Sequence, residues 1–208
     1  MIERRFAAVI ANIDAANACD PNHVEIDGRP EPAELVYGRR MSETLARMAP
    51  DASEHLRIAA RGQHIERWTS PRTGYPQGRQ GYLSWRKHLR EFHARRVGEI
   101  MAAAGYHADD IARVGSLIRK ECLKSDTAAQ LLEDVVCVVF LEHYLAGFIG
   151  KTNEEKLTNI LAKTWKKMSQ LGHEHALKLS LSPAGAALLA RAIPPCRLTP
   201  SARHSPAS

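Results

Sequence analysis

Apolar residues recur at helical spacing along almost the whole chain. Residues 2–17 place Ile2, Phe6, Val9, Ile10 and Ile13 on one face, which predicts an opening helix. A connection rich in Pro, Asn and Gly follows at 20–32, punctuated by Pro30 and Pro32. A second helix is predicted over about 33–48, with Leu35, Leu45 and Met48 inward. Ser53 is a suitable N-cap for a third, over roughly 54–66. The stretch RWTSPRTGYPQGRQG, 67–81, carries too much Pro and Gly to be helical. A long helix is predicted from about 82 to 104, stopping at Gly105. The next opens at Asp109 or Asp110 and carries Ile111, Val114, Leu117 and Ile118. The segment 125–148 is nearly apolar after a Ser/Asp cap, which predicts the central buried helix. Residues 153–172 are amphipathic through Leu157, Ile160, Leu161, Trp165 and Met168. A shorter helix is predicted after Ser182-Pro183.

This pattern, without internal repeat or convincing strand, predicts one all-α domain over 1–192. The Pro/Ser-rich tail, 193–208, is expected to be disordered. At 44% hydrophobic the chain can build a real core, and no run approaches the ~18 apolar residues of a membrane span. The N-terminus reads as an amphipathic helix, not a signal peptide. Four scattered cysteines, with no CxxC, fit reduced thiols in a cytoplasmic protein. The net charge of +6 admits small anionic partners. Acidic residues are interleaved with the basic ones, so nucleic acid is possible as a partner but not favoured.

Three polar residues fall on apolar stripes of three helices. His64 follows Leu56, Ala60 and Gln63. His93 lies one turn before Val97. Asp134 lies between Leu131 and Val138 on the most apolar helix. A buried carboxylate is costly unless paired, hydrogen-bonded or metal-bound. Two imidazoles and a carboxylate converging from separate helices suit a divalent metal such as Zn, Mn or Fe. Each residue also has a plainer reading: a satisfied core histidine, or an Asp134 paired with Arg119, Lys120 or a backbone cap. The loop and helix start at 67–86 add Arg67, Arg72, Arg79 and Arg86 with Trp68, Tyr75, Tyr82 and Trp85. Arginine binds phosphate bidentately and aromatic rings stack bases, so Arg67, Trp68, Arg72 and Arg79 are candidate substrate-binding residues.

The order of LRIAARGQHI (56–65), HARRVGEIMAAAG (93–105) and LLEDVVCVVFLE (131–142) resembles the HD-domain superfamily of metal-dependent phosphohydrolases. The resemblance implies an HD-like helical fold and metal ligands at His64, His93 and Asp134. It departs at Ile65, where the family has its aspartate, and at Lys120, where it has paired histidines. Glu34 is the candidate for the missing first ligand. Glu66 is a candidate base, and Lys120 a candidate replacement for the cation. More specifically, IDAAN (13–17), ELVYGRRMSETL (34–45), QHIERW (63–68), YP…GYLSWR (75–86) and LEDVVCVVFLEHY (132–144) resemble the family named domain of unknown function 4202. Two functions compete: a metal-dependent phosphohydrolase of a nucleotide or other small phosphorylated molecule, and a non-catalytic anion- or nucleotide-binding HD-like module. A third, tRNA-related, rests on HIER (64–67) and KKMSQ (166–170), which echo the HIGH and KMSKS motifs of class I aminoacyl-tRNA synthetases such as the glutamyl enzyme. It is disfavoured, because those motifs need βα alternation that this chain lacks.

Overall fold

The computed structural model describes residues 2–193 apart from Lys124. Nine α-helices occur among the described residues, and they form one all-α domain. They are α1 (Ile2–Asn17), α2 (Ala33–Met48), α3 (Glu54–Arg61), α4 (Gly78–Ala103), α5 (Ala108–Arg119), α6 (Thr127–Val139), α7 (Glu154–Lys167), α8 (Gln170–Ala176) and α9 (Pro183–Ala192). Local caps mark several boundaries. Ser53 accepts from the Leu56 amide, Asp126 from Ala128 and Ala129, and Ser182 from Gly185. Gly105 closes the α4 end at φ +82°.

A small hairpin departs from the sequence reading. β1 (His23–Ile26) pairs antiparallel with β2 (Arg29–Pro32). Asp27 and Gly28 both have positive φ, as the favoured two-residue hairpin turn requires. The register places Pro30 and Pro32 opposite Glu25 and His23, positions that exchange no ladder hydrogen bonds. The prolines are therefore tolerated, and Asp27-Gly28 was the signal they masked.

Four other boundaries moved. The helix expected to run to about 66 ends at Arg61, and the long helix expected from about 82 starts at Gly78. The apolar segment after Asp126 is α-helical only to Val139. It then widens into a π-turn over Phe140–Tyr144 and tightens into a 3-10 turn over Leu145–Phe148. The helix expected over 153–172 breaks at Met168. Ser169 there caps a separate α8 by accepting from Gly172.

Two cores meet at α6. The larger gathers α1 to α5 around Leu132, Val135 and Val138. The smaller packs Cys137 and Leu141 against Leu157, Leu161, Trp165 and Leu189. Ile193, placed in the tail by sequence, is buried in the smaller core; the rest of the expected disordered segment, 194–208, lies outside the described residues. No helix among the described residues is long and apolar enough to cross a membrane. The HIER and KKMSQ segments sit on a helical turn and on the α7–α8 junction. The described residues contain no parallel sheet to carry a synthetase site.

Candidate functional site

A cavity of about 420 Å³ opens between α2, the turn after α3, α4, α6 and α7, with Val24 of the hairpin at its edge. Helical spacing decides what each element sends there. α2 contributes Ala33, Glu34 and Tyr37; α4 contributes Tyr82 and Arg86; α7 contributes Thr164 and Lys167. α6 contributes Glu133, Val136 and Cys137, and the π-turn continues the stripe with Phe140 and Tyr144. A π-turn inside a helix is common at functional sites, because it re-aims side chains that a regular helix would turn away.

One end of the cavity is built on the first turn of α2 and the α3 turn. Buried Asp20 accepts from the Glu34 amide at 2.9 Å, capping α2 from a distance. Asn17 joins the two elements: its amide donates to the Glu34 carbonyl at 3.4 Å and its oxygen accepts from the Glu66 N–H at 2.9 Å. The His64 ring stacks on Tyr37, with centroids 3.9 Å apart. Its Nδ1 lies 3.4 Å from the Glu34 carboxylate, and Arg67 lies 3.8 Å from it on the other side. Burial pushes the Glu34 carboxyl up to about 7, with Arg67 opposing. Burial, then Arg67, Arg86 and Lys120, hold His64 well below the ordinary imidazole range. It is neutral at physiological pH.

The other end is cationic. Lys120 ends α5 in a left-handed conformation at φ +62° and pairs with Glu133, whose second oxygen faces Lys167 at 3.5 Å. Burial alone would raise the Glu133 carboxyl, but Lys120 and Lys167 draw it below the usual range. Burial lowers the Lys120 ammonium although Glu133 opposes. Arg86 has no ion-pair partner among the described residues. The cavity thus carries Arg67, Arg86, Lys120 and Lys167 against Glu34 and Glu133.

The candidates from sequence divide. Glu34, His64, Arg67 and Lys120 line one cavity, as a shared site requires. His93 lies just behind, its ring 6.0 Å from His64. Its Nδ1 is 2.8 Å from the Ile65 carbonyl, which only accepts, so Nδ1 carries the proton and pins the turn holding His64. Its bare Nε2 is buried without a partner.

Asp134 is not in the cavity. It accepts from Ser169 N at 2.8 Å, Ser169 Oγ at 2.5 Å and Gln130 at 3.0 Å, and rests against Gly172. It organises the α7–α8 junction. Glu66 is held in a two-pronged pair with Arg96 and does not line the cavity. Arg72 donates to the Tyr75 and Gly78 carbonyls, Arg79 is exposed, and Trp68 does not reach the cavity. The donor set expected for Zn, Mn or Fe is therefore not assembled. Among the described residues no three His, Cys, Asp or Glu side chains converge as metal ligands. Tyr37, Gln63, Arg86, Glu133 and Lys167 were not chosen as site residues from sequence. Arg86 was legible as one of the loop arginines; the rest carried no signal beyond helical spacing.

The family model described as domain of unknown function (DUF4202) matches residues 7–189. The chain belongs to the DUF4202 family. No curated protein and no solved structure matches it. The segments that suggested DUF4202 now have physical roles. In IDAAN, Asp14 forms a two-pronged pair with Arg61 and Asn17 tethers the two sides of the cavity. In the loop before α4, Trp85 donates to the Ser70 carbonyl at 2.9 Å. A Cβ on Gly81 would lie 1.8 Å from the Pro76 carbonyl oxygen, so only glycine lets the loop close on the helix that carries Arg86.

The raised Glu34 pKa has a measurable consequence. An unfolded glutamate ionises near 4.5, the buried one near 7. Between these values the unfolded chain binds fewer protons, so stability falls as pH rises, by about 3 kcal/mol in all. The depressed His64 and His93 act oppositely: their contribution is present above pH ~6.5 and lost below it. Glu34→Gln removes the first effect and keeps the second. Urea unfolding should therefore show the variant gaining about 2 kcal/mol on the wild type between pH ~5 and ~8. A flat difference would mean Glu34 ionises normally.

Proposed function

We propose that the cavity binds a small phosphorylated ligand of the nucleotide class. The observation that carries this reading is the set of four cations against two carboxylates in one cavity, walled by Tyr37, Tyr82, Phe140, Tyr144 and Phe148. Arg86 and Arg67 offer planar forks for phosphate oxygens, and Lys120 and Lys167 offer point charges. Partly exposed Tyr82 and Phe148 at the rim offer faces for a base or sugar. The volume lies in the range of small-molecule sites. A cytoplasmic setting belongs to the same reading and rests on the unpaired thiols of Cys19, Cys122 and Cys137.

Arg86 tests it. Because it has no ion-pair partner among the described residues, Arg86→Ala should leave the melting temperature within about 2 °C. Affinity for ribose phosphate or a nucleoside monophosphate should fall by at least about tenfold in isothermal titration. Unchanged affinity would remove the phosphate from this cavity.

A second reading, hydrolysis of the bound phosphoester, is favoured by Glu34. A carboxyl pushed to about 7 beside a neutral imidazole is poised for proton transfer at neutral pH. Phosphate release that disappears in Glu34→Gln while ligand affinity persists would support it. The metal-dependent version is tested by elemental analysis of tag-free protein purified without chelators: about one equivalent of transition metal would favour it.

A further inference from the structure

Three groups at the α2 end of the cavity have unused hydrogen-bonding capacity. Gln63 is 4% exposed and lines the cavity, and its Oε1 is buried without a hydrogen-bond partner among the described residues. Glu34 faces His64 and Arg67 only at 3.4 and 3.8 Å, beyond good hydrogen bonds. His64 Nδ1 is buried without a hydrogen-bond partner. A buried amide oxygen left unpaired is costly, so a fold does not keep one without cause. Gln63 and His64 are neighbours on one turn, and the Glu34 carboxylate stands 3.4 Å from His64 Nδ1. All three line the same cavity.

The chemistry at the two ends differs. With Arg67 set against the Glu34 carboxyl, the amide and imidazole beside them are a good seat for a neutral edge with both donors and acceptors. Lys120 and Lys167 meet at Glu133 of α6, and Arg86 reaches the same cavity from α4. We propose that Glu34, Gln63 and His64 form a base-reading subsite, so that the ligand is a nucleoside phosphate and not a sugar phosphate or free phosphate. This rests on the phosphorylated-ligand reading above. The base would place its amide or amidine edge against Gln63 and Glu34, and its phosphate would lie at the cationic wall. Gln63 is then a specificity-determining residue that lowers the stability of the free protein.

The test uses the full chain and isothermal titration with inorganic phosphate, ribose phosphate and the four common nucleoside monophosphates. The expected result is that at least one nucleotide binds about tenfold or more tightly than ribose phosphate. Gln63→Leu should fold, with a raised melting temperature, because it removes an unpaired polar group. It should bring the preferred nucleotide down to the affinity of ribose phosphate and leave ribose phosphate unchanged. Equal affinity for ribose phosphate and every nucleotide, or a preference that survives Gln63→Leu, overturns the subsite while the phosphate-binding reading stands. Binding of none of the probes overturns both. Gln63→Asn, which keeps the amide but shortens its reach, provides a second variant should the Leu protein fold poorly; it too should lose the preference.

Discussion

Glu133→Ala is expected to cost about 3–5 kcal/mol of unfolding free energy, the range for breaking a buried ion pair by removing one partner. The Glu133 side chain is 5% exposed and that of Lys120 11%, so deleting the carboxylate leaves the Lys120 ammonium buried with nothing to balance it. Lys167 contributes little to the loss, because it is largely in water and keeps its own hydration. The double replacement Lys120→Met with Glu133→Leu should recover most of the stability. Burying two apolar chains avoids the desolvation penalty that the pair has to offset. Urea unfolding of the three proteins decides the matter. A loss below about 1 kcal/mol in Glu133→Ala would mean that Lys120 finds water or another partner. The double variant should also weaken phosphate binding, since it removes a cation of the cavity wall. Stability and binding would then move in opposite senses relative to the single variant.

The neighbouring position should behave differently. Asp134→Ala is expected to destabilise by about 3 kcal/mol through loss of three hydrogen bonds to a buried carboxyl acceptor. The Ser169 N–H would be left without its partner at the α7–α8 junction. Yet the cavity does not touch Asp134, so the folded variant should bind the preferred nucleoside phosphate within about threefold of wild type. A metal ligand would give the reverse: modest change in the stability of the metal-free protein and complete loss of binding. Melting curves and titration on the same preparation separate the two.

The contrast between Glu133 and Asp134 explains why the site was only partly legible. One residue along a helix is a rotation of about 100°. On α6 the cavity stripe runs through Glu133, Val136, Cys137 and Phe140, and Asp134 points elsewhere. Periodicity finds such a stripe when a helix has a polar face to set its phase. This helix is apolar nearly all round, so its phase could not be read, and Asp134 was chosen where Glu133 lines the cavity. His93 was legible as an inward imidazole because α4 has a clear apolar stripe, but its partner is the Ile65 carbonyl, which spacing cannot announce. His64 was found because a polar group stood on an apolar stripe, Arg67 because it lies in an arginine-rich loop, and Glu34 and Lys120 through the HD-domain resemblance.

The sequence by itself determined the helices, most of their ends and the all-α class, since these follow from local spacing and from caps such as Ser53, Asp126 and Gly105. Its motifs also identified the family, now matched over residues 7–189. Only the tertiary structure decided which polar groups meet. Glu66 pairs with Arg96, Lys120 with Glu133, and Asn17 joins α2 to the α3 turn. Each of these depends on how two helices are rotated and offset against each other. That is set by packing across the whole core, and no local spacing encodes it.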